Sequence, residues 1–308
     1  MVRSKVLITG GTGLLALNWA CAMRASHEIV LATHVRQVSL AGTVSGPLAL
    51  DDARALRETL ERLAPDIVVH TAGITSVEEC ERDPERARHV YADLTHNVAE
   101  ATRATGSRLI HISTDHLFAG TRSLYTETDA PEPVNAYARA KLAAEHAVAA
   151  ANPSALIVRT NFFGWGHRYR RSFSDWIYEG LSEGRELTMF EDVYITPILA
   201  DRLAQYAHAL AGVGASGIYN VVGDERISKY DFGVALARVF DLPERLIRRG
   251  KISTSQLSAK RPPDMSLDNS KARARLGVSL GTVAEHLRLL KQQARAGRTS
   301  ELAGAITE

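Results

Sequence analysis

Short apolar runs alternate with longer amphipathic stretches through the first half of the chain. Val6-Leu7-Ile8-Thr9, Ile29-Val30-Leu31-Ala32-Thr33, Ile67-Val68-Val69-His70-Thr71, Leu109-Ile110-His111-Ile112-Ser113 and Ala155-Leu156-Ile157-Val158-Arg159 each read as a strand. Leu48-Ala49-Leu50 reads as a shorter one, third in chain order. Helices are expected between them. One runs from Leu14 to Ser26, and one is capped by Asp51 or Asp52 and runs to Leu63 before Pro65-Asp66. A long one opens at Pro84 and ends near Gly106, and another covers 135–151. Near-continuous apolar strands separated by helices predict a parallel sheet covered on both faces. The fold class is therefore α/β, a doubly wound, Rossmann-like parallel sheet. Its ligands are expected at the carboxyl ends of the strands.

After Thr160 the pattern changes. Phe163 to Arg171 is aromatic, basic and glycine-rich, and reads as a loop leaving the sheet. Helices follow over Ser172–Glu183, Pro197–Ala211, Ser228–Phe240 and Thr282–Gln293, with Ile218 to Val222 as a strand able to return to the sheet. Ser228 with Asp231 three residues on is close to a capping box. The expected layout is a dinucleotide-binding domain over 1–165, with 192–222 returning to it, and a smaller interleaved C-terminal substrate lobe from 166–191 and 223–293. The stretch 294–308 lacks an apolar period and is expected to pack weakly.

The whole 308-residue chain carries a net charge of +2, with 45% hydrophobic and 23% charged residues. That gives no overall case for nucleic acid or a membrane surface. From Asp241 to Arg298, however, 13 Lys or Arg stand against 5 Asp or Glu. A solvated surface and an anionic ligand are both compatible with that excess. The two cysteines, Cys21 and Cys80, form neither a disulfide framework nor a metal motif. No metal site is expected. With no apolar leader at the start and no run of about 18 apolar residues, a cytoplasmic location is the expectation.

Thr9-Gly10-Gly11-Thr12-Gly13-Leu14-Leu15-Ala16 joins the first strand to the first helix. Glycine lets the backbone turn tightly and approach a pyrophosphate, whose charge then meets the free N–H groups of the helix start. Gly10, Thr12, Gly13, Leu14 and Leu15 are the candidate phosphate contacts, with Thr71, Ala72, Gly73 and Thr160 at neighbouring strand ends. Where NAD sites usually place an acid after the second strand, this chain has Ala32-Thr33-His34-Val35-Arg36. Arg36, with His34, suits a 2′-phosphate. NADP(H) is the preferred cofactor and NAD(H) the alternative, unless Arg36 is simply a surface arginine.

Tyr137 and Lys141 stand four apart in the helix over 135–151, so they share a face. A free phenol has a pKa of about 10, and a nearby cation lowers it. Such a tyrosine can exchange a proton near neutral pH. His70 and His111 lie on apolar strands and read as core residues. His116 is either a titrating group near the site or a filler of space.

Taken together, these stretches resemble an extended short-chain dehydrogenase/reductase, and within it the dTDP-4-dehydrorhamnose reductases. Thr9 to Ala16 resembles the family's TGxxGxxG turn, and His70 to Glu78 its HxAAxTxVD segment. Ser113 to Gly120 resembles STDYVFDG, and Pro133 to Lys141 resembles PxNxYGxxK. Val158-Arg159-Thr160-Asn161 resembles the strand end that follows, and Lys260 to Leu267 the late RPxxSxL segment. The resemblance covers about residues 5–293. It departs at His116, Ala138 and Phe162, where the family usually has tyrosine, glycine and, in many members, tryptophan.

The resemblance implies that Tyr137 protonates a carbonyl oxygen, that Thr114 polarises the same carbonyl, and that Lys141 binds the nicotinamide ribose and lowers the tyrosine's pKa. It implies a substrate site from Thr75, Val77, Glu78, Asp115, His116, Asn161, Phe162 and Arg261. The implied activity is NADPH-dependent reduction of the 4-keto group of a nucleotide-linked, dTDP-type 4-keto-6-deoxy sugar. A nucleotide-sugar epimerase or dehydratase of the same superfamily is one alternative. A non-catalytic regulatory subunit resembling that of methionine adenosyltransferase is another. A homodimer is left open.

Overall fold

The computed structural model describes residues 3–254 and 258–307. Its centre is a seven-stranded parallel sheet. The strands are β1 (Lys5–Thr9), β2 (Glu28–Thr33), β3 (Thr43–Pro47), β4 (Ile67–His70), β5 (Arg108–Ile112), β6 (Leu156–Arg159) and β7 (Gly217–Asn220). Their spatial order is β7-β6-β5-β4-β1-β2-β3. Val6 pairs with both Ile29 and Ile67, so β1 is central and the chain reverses direction beside it. Alternate side chains of β1 enter different cores. Val6 and Ile8 pack with Trp19 and Leu203, while Leu7 packs with Leu56, Leu60 and Val98. Helices α1 (Leu14–Met23), α2 (Ala53–Leu63), α3 (Val77–Arg82), α4 (Pro84–Arg88), α5 (Leu94–Thr105) and α6 (Ala136–Ala151) belong to this half. Both faces of the sheet are therefore covered, as the apolar strands require.

The second half supplies α7 (Phe173–Ser182), α8 (Ala200–Gly212), α9 (Lys229–Phe240), α10 (Ser270–Leu276), α11 (Val283–Arg295) and α12 (Arg298–Gly304). Small two-stranded pairings tie its loops together, among them Leu187–Phe190 with Ile247–Gly250 and Phe162–Phe163 with Ile198–Leu199. Strand β7 joins the sheet beside β6.

Two expectations are corrected here. The strand beside β2 is Thr43–Pro47, not Leu48–Leu50. It is an edge strand, largely unburied and ending in Gly46-Pro47, so it carries no apolar run. Leu48 instead packs into the core under α2. The segment after Ala294 is also not weakly packed. Leu302, Ala305 and Ile306 are buried, and Ile306 and Thr307 pair antiparallel with Val38 and Gln37. Arg24 holds Glu301, and Arg298 holds Asp201 at 3.2 Å. These attachments are ion pairs and one short strand, which leave no apolar period in the sequence. Glu308 lies outside the described residues. Among those residues, no helix is long and apolar enough to cross a membrane.

Candidate active site

The glycine turn sits at the carboxyl end of β1. Gly10 has φ +67°, and a Cβ there would stand 2.8 Å from the Ala72 Cα, so any side chain would push β1 and β4 apart. A Cβ on Gly11 would meet the Ala32 carbonyl at 2.9 Å. Gly13 is the N-cap of α1 and offers no side-chain acceptor, leaving the first N–H groups of the helix free. A cavity of about 470 Å³ lies in front of this turn. Thr9, Gly10, Gly11 and Thr12 form its floor, Thr33, His34 and Asp51 one wall, and Ala72, Gly73 and Ile74 the other. Arg86, His89, Val90 and Leu94 close the far side. Close backbone approach, uncapped N–H groups and a cleft of this size fit a dinucleotide.

Of the other expected cofactor residues, Thr71 braces the turn by donating its hydroxyl to the Thr9 carbonyl. Leu14 and Leu15 are buried and are not among the residues lining the cavity. The Thr160 hydroxyl donates to Val221 O at 2.8 Å and serves the β6–β7 junction. His34 lines the cavity; Arg36 is exposed, its guanidinium 4.5 Å from the Tyr169 ring centre.

Helix α6 begins at Asn135, whose side chain accepts from Ala138 N and donates to Lys260 O, tying the helix start to the second half. The helix is fixed at its middle by a buried ion pair. Glu145 accepts from Arg159 Nε at 2.9 Å, from Arg159 Nη2 at 2.7 Å and from Ser113 Oγ at 2.6 Å. Lys141, one turn earlier, is buried, donates to Ile112 O at 2.6 Å and lies 4.9 Å from the Tyr91 ring centre. Burial pulls the Lys141 pKa down to about 8, with Glu145 opposing.

Tyr137 faces Thr114, Asp115 and His116, the His116 ring standing edge-on at 5.6 Å. Burial pushes the phenol up to about 12, Asp115 and Cys80 adding to the rise; Thr114 and Arg261 work the other way. The expected lowering of this pKa by Lys141 is thus not what the geometry gives. The ammonium is turned toward Ile112 O and Tyr91, and desolvation governs the phenol. Tyr137 is a protonated acid at neutral pH.

Asp115 is buried, accepts from Asn161 Nδ2 at 2.5 Å and from Thr114 Oγ1 at 3.2 Å, and is raised by burial to about 6. His116 is lowered to about 3 by burial first and then by Arg261 and Lys229. It is neutral across the working pH range. Arg261 is paired with Glu78 at the start of α3, which joins the late segment to the Thr75–Glu78 stretch. Val77 is buried, Thr75 exposed and Phe162 half-buried. His70 bridges Thr9 Oγ1 at 2.7 Å and Thr95 Oγ1 at 3.0 Å, a core role. His111 is buried against it, with both ring nitrogens unpartnered.

Sequence reasoning missed several residues. Tyr91 sits in a π-helical turn, His89–Asp93, between α4 and α5. That turn aims its ring at Lys141 and Tyr137. Lys229, at the start of α9, has its pKa pulled down by burial and then by Arg261, with Asp115 opposing. The only signal for it was the basic excess farther along the chain.

Residues 4–295 match the model of a family described as the RmlD substrate binding domain. A dTDP-4-dehydrorhamnose reductase of Burkholderia thailandensis is 32% identical, the alignment covering 90% of this chain and 94% of that protein. A probable low-salt glycan biosynthesis reductase of Haloferax volcanii is 30% identical over 92% of this chain and 96% of its own length. Methionine adenosyltransferase 2 subunit beta of Pongo abelii is 29% identical over 90% and 84%. Among solved structures, a Bacillus anthracis dTDP-4-dehydrorhamnose reductase in complex with NADP has a TM-score of 0.84 at 21% identity, covering 95% of this chain and 100% of that one.

Proposed function

We propose, from the chain's place in the RmlD substrate binding domain family, to which it belongs, that this short-chain dehydrogenase/reductase-type oxidoreductase reduces the 4-keto group of a nucleotide-linked 4-keto-6-deoxy sugar with NADPH. The sugar is carried on dTDP in the reading we favour. The observation that carries it is the half-buried Tyr137, held as a protonated acid beside Thr114 at the strand ends, next to a dinucleotide-sized cleft.

Bound in that cleft, a nicotinamide cofactor supplies hydride. The chain's own residues do the rest. The uncapped start of α1 and the Gly10–Gly13 turn hold pyrophosphate. Lys141, cationic below about pH 8, holds the ribose. Thr114 hydrogen-bonds the substrate carbonyl oxygen, and Tyr137 gives that oxygen its proton as hydride arrives. Asp115, His116, Asn161 and Phe162 form the sugar-facing wall, with Thr75, Val77 and Glu78 opposite. Arg261, joined by Lys229, faces the nucleotide diphosphate. The smaller lobe, 166–191 and 223–293, closes over that substrate. NADPH is favoured because an arginine, Arg36, follows β2 and the segment 32–36 holds no acid. The Bacillus anthracis relative's complex with NADP agrees with this.

A regulatory subunit is the second reading, favoured by the likeness to methionine adenosyltransferase 2 subunit beta. A panel of nucleotide-linked keto-sugars, read by NADPH absorbance, separates the two. Turnover supports the reductase; NADPH binding without consumption supports the subunit.

A further inference from the structure

Two guanidinium groups stand over the Tyr169 ring. Arg36 stands 4.5 Å from its ring centre and Arg168 4.7 Å. Arg168 also donates to Ile306 O at 2.9 Å. Ile306 and Thr307 pair with Val38 and Gln37, and Ser39 N donates to Ala305 O at 2.8 Å. The loop 34–39 is therefore held on both sides. Tyr169 takes the Arg36 side chain, and the strand Ile306–Thr307 takes the backbone two residues on. Segment 298–307, which carries this strand, lies beyond the 4–295 matched by the family.

An arginine on an exposed loop samples many rotamers, and ordering it costs binding free energy. A guanidinium stacked on a ring has met part of that cost before the ligand arrives. We propose that Tyr169, braced by Arg168 and by strand Ile306–Thr307, is a positioning residue that presents Arg36 to the 2′-phosphate of NADPH, so that the segment beyond the family match sets cofactor preference. This rests on the NADPH reading above, in which Arg36 meets that phosphate.

The test is the dissociation constant of NADPH and of NADH, each measured by nucleotide fluorescence on four proteins: the parent, Arg36→Ala, Tyr169→Ala and Tyr169→Phe. A fifth chain, stopped after Gly304, removes the strand but keeps α12. An exposed cation–π contact is worth about 0.5–1 kcal/mol, so Tyr169→Ala should weaken NADPH by about two- to fivefold. NADH should be unchanged, and Tyr169→Phe should restore the parent value. The chain ending at Gly304 should lose NADPH preference in the same sense. Tyr169 is partly exposed, so its loss should leave the melting temperature nearly unchanged even if the shortened chain is destabilised. If Arg36→Ala leaves the NADPH-to-NADH ratio unaltered, the assignment of Arg36 fails. If Arg36→Ala lowers the ratio and Tyr169→Ala does not, or if Tyr169→Ala weakens both nucleotides equally, the positioning role is overturned.

Discussion

At the residue scale, two groups have pKa values that desolvation sets, the half-buried Tyr137 and the buried Asp115. Tyr137, pushed up to about 12, is in the proposed reaction a proton donor that stays loaded until a developing alkoxide needs it. Tyr137→Phe should lower turnover by about 10²–10⁴-fold and leave NADPH affinity within about twofold, checked by steady-state kinetics beside fluorescence titration. Asp115 gives a stability test with a definite sign. Its folded pKa, about 6, lies above the ordinary 3.8. The fold therefore favours the protonated carboxyl, and that stabilisation is complete below about pH 4 and is lost as pH rises through about 6. Asp115→Asn should melt higher than the parent at pH 7.5, and the difference should close as pH falls toward 4. Thermal denaturation across that range checks it; a difference that widens toward acid would contradict the buried-carboxyl account. The residue types Thr114, Tyr137 and Lys141 were legible in the sequence. The direction of the tyrosine's shift was not, because it depends on burial and then on the charges of Asp115 and Cys80, which arrive from elsewhere in the chain.

At the scale of elements, the first turn is the least replaceable piece. Gly10 needs both a positive φ and the absence of a Cβ against Ala72. Gly10→Ala should weaken cofactor binding by about 5- to 150-fold, since strain at such positions costs of order 1–3 kcal/mol, measured as the dissociation constant of NADPH. An unchanged value would remove the turn from the cofactor site. The turn was legible because it lies between an apolar strand and a helix. Strand β3 was not, because an exposed edge ending in Gly-Pro carries no hydrophobic pattern. The π-turn at His89–Asp93 was equally silent, since one extra residue inside a continuous helix leaves its composition unchanged.

At the scale of the whole molecule, the sheet order places the ends of β1, β4 and β5 side by side, and the start of α6 beside them. Residues far apart in sequence thus meet at one edge of the sheet. The α/β class was legible because five of its seven strands are near-continuous apolar runs. The attachment of 298–307 was not, since it is made by Arg24, Arg298 and one short strand. The second half brings Asn161 to Asp115 and Arg261 to Glu78, with Lys229 nearby. The most direct measurement is NADPH consumption by the purified protein with dTDP- and GDP-linked 4-keto-6-deoxyhexoses, with product NMR. The account predicts stoichiometric oxidation of NADPH and a new hydroxyl at C4 with at least one of them, slowed by about 10²–10⁴-fold in Tyr137→Phe. A folded protein that binds NADPH yet consumes none with any nucleotide-linked keto-sugar would contradict it.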